Sequence, residues 1–112
     1  MLKTYKVDLE RIEKELFKLK QFGYNSEDKG IYRPGLTGAD MEARKWLVRL
    51  FEENGLKTKM DGAANVIGRF GDPAKPAIAV GSHTDTVPAP LSRSQTRIRI
   101  LGCITPVSIW TD

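Results

Sequence analysis

His83 is the single histidine of the chain, and Asp85 stands two residues beyond it, after an apolar run formed by Ala77, Ile78, Ala79 and Val80. A neutral imidazole offers one ring nitrogen to a metal while the other donates a hydrogen bond to a neighbouring group, and a carboxylate in that position fixes the tautomer and raises the ring's basicity. His-x-Asp therefore suits a metal ligand oriented by its neighbour. It equally suits a structural histidine, because an isolated histidine beside an apolar run more often satisfies packing than chemistry. The apolar run predicts a buried strand that delivers Gly81, Ser82 and His83 at its C-terminal end, where sites in α/β proteins are built.

The elements that must position this pair follow from periodicity. Leu9, Ile12, Leu16 and Leu19 recur at helical spacing, which predicts an amphipathic helix over residues 7–22, capped by Asp8, stapled by Val7 against Ile12 and ended by Gly23. Glu10 with Lys14, and Glu15 with Lys18, can pair on its wet face. Residues 21–36 are polar and punctuated by Gly30, Pro34 and Gly35, so they read as a loop. Arg33 in this loop suits either a bidentate contact to a substrate carboxylate or, more simply, a solvated arginine.

Thr37-Gly38-Ala39-Asp40 reads as a capping box in which the Asp40 carboxylate reaches back to the Thr37 amide, with Leu36 and Met41 as its staple. The helix it opens carries Ala43, Trp46, Leu47, Leu50 and Phe51 on its apolar face and ends at Asn54-Gly55, while Glu42, Arg44, Lys45, Arg49, Glu52 and Glu53 face water. Residues 56–60 and 65–70 read as strands separated by a turn at Asp61-Gly62, with Gly68 marking a close approach or a bulge. The expected fold class is α/β, two N-terminal helices packed on a small sheet.

The chain has 112 residues, 40% of them hydrophobic and 29% charged, with a formal net charge of +4. That length suits one small domain with a modest core. Before residue 89 the basic residues alternate with acidic ones, and no nucleic-acid motif accompanies the excess, so a nucleic-acid partner is not expected. No apolar run reaches the roughly 20 residues needed to span a bilayer, and the first residues lack a secretory apolar core. A cytoplasmic location is expected, in agreement with the single cysteine, Cys103.

The phrase Gly81-Ser82-His83-Thr84-Asp85-Thr86-Val87-Pro88 resembles the first metal-site motif of the M20 family of metallopeptidases and amidohydrolases, specifically the branch of N-carbamoyl-L-amino-acid hydrolases and allantoate amidohydrolases. Upstream, Asp61-Gly62-Ala63-Ala64-Asn65-Val66-Ile67-Gly68-Arg69 resembles that branch's Asp-x-x-Gly-Asn segment, with Ala64 where a glycine is common. The resemblance runs from about residue 9 to residue 88. It implies that residues 1–88 are the N-terminal part of an M20-like catalytic domain. It further implies a pair of divalent metals, zinc or manganese, with His83 as a ligand of one metal and Asp85 orienting its ring. The implied substrate is a small carbamoyl or ureido amino acid, such as an N-carbamoyl-L-amino acid or allantoate, hydrolysed at a linear amide C–N bond.

After Pro88 the family's aromatic-Asp-Gly segment, Glu-Glu pair and later histidines have no counterpart, and the chain reads Ala89-Pro90-Leu91-Ser92-Arg93 instead. A catalytic zinc site takes about three protein ligands, so at most weak metal binding and no activity are expected of the chain alone. Residues 89–112 are expected to be a non-matching tail produced by a frame change or truncation. Arg97, Ile98, Arg99, Ile100 and Leu101 alternate there as a strand could. A complementary fragment or a homo-oligomer is the implied partner. The alternative is a non-catalytic interaction module or gene remnant that binds another chain through a sheet edge or the basic tail.

Overall fold

A computed structural model describes residue 4 and residues 6–87. It holds two helices followed by two strands, α1 (Leu9–Lys20), α2 (Gly38–Glu53), β1 (Lys57–Met60) and β2 (Val66–Arg69), an α/β arrangement. The strand expected over residues 97–101, Cys103 and the change in pattern after Pro88 lie outside the described residues. No helix among the described residues is long and apolar enough to cross a membrane.

The first helix begins where Asp8 adopts an extended backbone and its carboxylate accepts from the Arg11 amide at 3.1 Å. It ends before Gly23, whose φ of 79° lies in the left-handed region and whose Cα faces the Tyr32 carbonyl so closely that a Cβ would collide with it. The helix is shorter at each end than its periodicity suggests. Val7 lies exposed outside the cap and staples nothing, while residues 21 and 22 turn back on the carbonyls of Lys18 and Leu19. Leu19 is the buried residue of the apolar face. Glu15 pairs with Arg11 at 2.9 Å rather than with Lys18, because the guanidinium one turn earlier reaches it directly.

The second helix starts at the Thr37 cap, with the Asp40 amide 3.5 Å from Thr37 Oγ1. The return half of the capping box is shifted by one residue. Pro34 offers its carbonyl to the Thr37 amide at 3.2 Å, so Asp40 Oδ2 accepts instead from the Leu36 amide at 2.8 Å. Leu36, at φ 64°, turns its side chain into solvent and leaves the expected staple unformed. The other end closes as predicted: Gly55 has φ 79°, its amide donates to Glu52 and the Leu56 amide to Phe51, both at 3.0 Å.

β1 and β2 pair antiparallel, with Lys57 opposite Arg69, Thr58 opposite Gly68, Lys59 opposite Ile67 and Met60 opposite Val66. Alternation sends Thr58, Met60, Val66 and Gly68 to one face, and α2 packs on it. Gly68 is a close approach: a Cβ there would stand 2.5 Å from Phe51 Cδ2 and 2.9 Å from Leu56 Cδ1. The connecting turn is organised by Asp61, whose Oδ1 accepts from the amides of Ala63 at 3.0 Å and Asn65 at 2.9 Å. Ala64 closes it at φ 63°, so the position where the resembled branch carries glycine is one that glycine fits without strain.

Arg44 is not on the wet face. It bonds the fully buried Asp40 at 2.8 Å and reaches the Ala64 carbonyl at 2.5 Å, joining the start of α2 to the β1–β2 turn. α1 meets α2 at both ends. Arg11 donates to Asn54 Oδ1 at 2.6 Å, and the rings of Phe22 and Trp46 lie 5.9 Å apart between centroids.

The apolar run over residues 77–80 is not a buried strand. Residues 71–83 are all exposed, with Ile78 at 61%, and the run enters no ladder. A strand of this composition requires neighbours on its edges and faces, and among the described residues β2 pairs with β1 alone.

Candidate functional site

His83 follows the exposed run, and its Nδ1 lies 2.9 Å from Asp85 Oδ1 and 3.2 Å from the Asp85 carbonyl. The His83 side chain is 70% exposed and that of Asp85 42%. Ionised carboxylate and carbonyl oxygens only accept hydrogen bonds, so this geometry places a proton on Nδ1; in the neutral ring Nε2 then carries the lone pair. Asp85 lies over Gly35, its Oδ2 3.6 Å from where a Cβ of that glycine would stand.

The two residues sit on a segment lashed to the loop before α2. Thr86 donates its amide to the Arg33 carbonyl at 2.8 Å, and its Oγ1 accepts from the Arg33 amide at 2.9 Å and donates to the Ile31 carbonyl at 3.0 Å. The Arg33 side chain completes the join. It is 2% exposed, donates through Nε to the Thr84 carbonyl at 2.8 Å, and donates through Nη1 to the carbonyls of Leu19 at 2.9 Å and Phe22 at 2.7 Å.

Arg33 is therefore neither a solvated loop arginine nor, through these two nitrogens, a fork for a substrate carboxylate. The carbonyls left unpaired at the C-terminal end of α1 attract a cation, and the arginine that follows a glycine-ended helix is within reach of them. Spacing along the chain gives no sign of its bond to Thr84, because the partners lie 51 residues apart.

The loop between the helices has its own polar anchor. Tyr24 and Ile31 form an isolated antiparallel bridge, and the Asp28 carboxylate accepts from the Gly30 amide at 2.8 Å and from the Tyr32 hydroxyl. The Tyr32 hydroxyl bond, then the Gly30 amide, holds Asp28 below the ordinary carboxylate value, and the same bond raises Tyr32.

Among the described residues no group of three or more His, Cys, Asp or Glu side chains is arranged to hold a metal ion. A lone imidazole backed by a carboxylate is one donor where a catalytic zinc requires about three. The described residues do not by themselves fit a metal, and no hydrolytic step follows from them alone.

No protein-family model matches the chain. An N-carbamoyl-L-amino-acid amidohydrolase of Paenarthrobacter aurescens is 40% identical over 84 residues, which are 73% of this chain and 20% of that protein. A ureidoglycolate hydrolase of Arabidopsis thaliana is 26% identical over 105 residues, 92% of this chain and 22% of that protein. In structure, an amidase of the hydantoinase/carbamoylase family from Burkholderia phymatum superposes with a TM-score of 0.64 at 32% identity, over 78% of this chain and 21% of the amidase. The chain thus spans about one-fifth of the length of the proteins it matches. In sequence and in fold, its N-terminal portion is similar to one segment of the N-carbamoyl-amino-acid amidohydrolases and of the hydantoinase/carbamoylase-family amidase.

Proposed function

We propose that residues 1–88 are the N-terminal part of an M20-type catalytic domain that hydrolyses linear amide C–N bonds of small carbamoyl or ureido amino acids, such as N-carbamoyl-L-amino acids or allantoate. In this reading His83 is one ligand of a divalent zinc or manganese ion and Asp85 fixes its tautomer. The observation that supports it is the 2.9 Å contact between His83 Nδ1 and Asp85 Oδ1 on an exposed segment, which leaves the Nε2 lone pair available to a cation. When bound, such a metal lowers the pKa of a water toward about 7 and polarises the carbonyl under attack. The remaining ligands come from outside the described residues, and since residues 88–112 offer only Cys103 and Asp112 as further candidates, the 112-residue chain alone is expected to be inactive. A complementary polypeptide is its partner and the cytoplasm its location.

The exposed apolar run with Ile78, beside a two-stranded hairpin, favours a second reading: a non-catalytic module that pairs with another chain through this edge. One set of assays separates the two. Purified chain is incubated with N-carbamoyl-L-amino acids and with allantoate, with added manganese or zinc, alone and mixed with a polypeptide that supplies the later part of a related amidohydrolase. The amidohydrolase reading expects no turnover and no stoichiometric metal for the chain alone, and turnover in the mixture that His83→Ala abolishes. A mixture that assembles yet stays inactive, or whose activity survives His83→Ala, overturns that reading.

A further inference from the structure

The geometry points to Arg33 as the positioning residue of the His83–Asp85 pair, a role that rests on the proposed reading of that pair. Segment 83–86 belongs to no helix or ladder, so nothing in regular secondary structure fixes its path. Its constraints come from the loop beneath it. The Arg33 main chain holds Thr86 at 2.8 and 2.9 Å and the Arg33 Nε holds the Thr84 carbonyl at 2.8 Å, so the residue on either side of Asp85 is bonded to the same arginine. The Nη1 bonds to Leu19 and Phe22 anchor that arginine to the end of α1.

This arrangement explains how two exposed side chains keep one mutual orientation. A His-x-Asp pair on a free loop samples many rotamers, and ordering both side chains costs conformational entropy. Fixing the peptide group of residue 84 from the buried guanidinium and residue 86 from the Arg33 main chain removes most of that freedom before the imidazole meets the carboxylate. A lysine cannot reproduce the arrangement, because one ammonium on a flexible stem does not present a planar fork to carbonyls in two directions.

The test reads the tautomer of one ring, and the single histidine makes the spectrum unambiguous. Nitrogen-15 NMR of the imidazole is recorded at a pH where the ring is neutral, for the wild type, Arg33→Lys, Thr86→Val and Asp85→Ala. Backbone amide spectra report whether α1, α2 and the hairpin remain folded. The wild type is expected to show predominantly the Nδ1–H form. Asp85→Ala, Arg33→Lys and Thr86→Val should each move the population several-fold toward the Nε2–H form that an unrestrained imidazole favours.

Thr86→Val exchanges the hydroxyl for a methyl and breaks only its bonds to the Arg33 amide and the Ile31 carbonyl, so it decides the matter if Arg33→Lys does not fold. A folded Thr86→Val or Arg33→Lys protein with the wild-type tautomer, while Asp85→Ala shifts, overturns the role of Arg33 and leaves the His83–Asp85 pair standing. A wild type lacking the Nδ1–H form overturns both.

Discussion

The Arg33 Nε–H donates to the Thr84 carbonyl at 2.8 Å, joining two positions 51 residues apart through a side chain that solvent scarcely touches. The same guanidinium bonds two carbonyls at the end of α1. Arg33→Ala leaves three buried or half-buried main-chain acceptors without this donor. The expected cost is about 2–4 kcal/mol of unfolding free energy, since bonds to charged donors are the stronger class and abandoned acceptors carry a desolvation penalty. Urea unfolding followed by circular dichroism measures it, and a loss within experimental error would contradict the buried bonding described above.

Gly68 faces Phe51 and Leu56 at distances no Cβ tolerates. Gly68→Ala must push α2 off the hairpin or drive the Phe51 ring from its rotamer, which costs about 1–3 kcal/mol. Gly62, with no atom within 4 Å of its would-be Cβ, provides the control. Gly62→Ala should change stability by less than about 0.5 kcal/mol. Equal effects at the two glycines in thermal melts would refute the packing assigned to Gly68.

Ala64 holds a φ of 63° at the end of the β1–β2 turn. The left-handed region costs a non-glycine residue about 1–2 kcal/mol. Removing the methyl forfeits some burial, about 0.8 kcal/mol for a methylene-sized group. Ala64→Gly should therefore raise stability modestly, by about 0.5 kcal/mol. A measurable drop in the denaturation midpoint would show that burial of the methyl outweighs backbone strain.

Asp28 and Asp61 are both held below the ordinary value of 3.8, Asp28 first by the Tyr32 hydroxyl and Asp61 first by the Asn65 side chain. Each then contributes stability that is present above that value and is lost as pH falls through the lowered one. Tyr32, raised above 10.0 by its bond to Asp28, contributes stability that is present below that value and is lost as pH rises through the raised one. Asp28→Asn should flatten the pH dependence of Tm at both the acid and the alkaline end, whereas Asp61→Asn should flatten only the acid end. Differential scanning calorimetry across pH distinguishes them.

Local chemistry was the legible part of this sequence. The Asp8 cap, the Thr37 cap, the Gly55 stop and both strands of the hairpin follow from residues within one or two turns of each other, where the physics is short-ranged. Arg33 and Arg44 were not legible as buried residues. Each bonds carbonyls that only the folded chain brings close, at Leu19, Phe22 and Thr84 for the first and at Ala64 for the second. The run ending at Val80 shows the opposite failure: its composition is that of a buried strand, but the neighbours that would bury it are absent among the described residues. The pairing of His83 with Asp85 follows from their separation by one residue, whereas the bonds that hold Thr84 and Thr86 do not.

The Leu19 carbonyl receives both the Phe22 amide and the Arg33 guanidinium, while the Arg33 carbonyl receives the Thr86 amide. Fraying of the last turn of α1 and lifting of the histidine-bearing segment thus share a hinge, and the two should open as one cooperative unit. Hydrogen–deuterium exchange at Phe22 and Thr86 is accordingly expected to report a common opening free energy, and Arg33→Lys to accelerate both amides together.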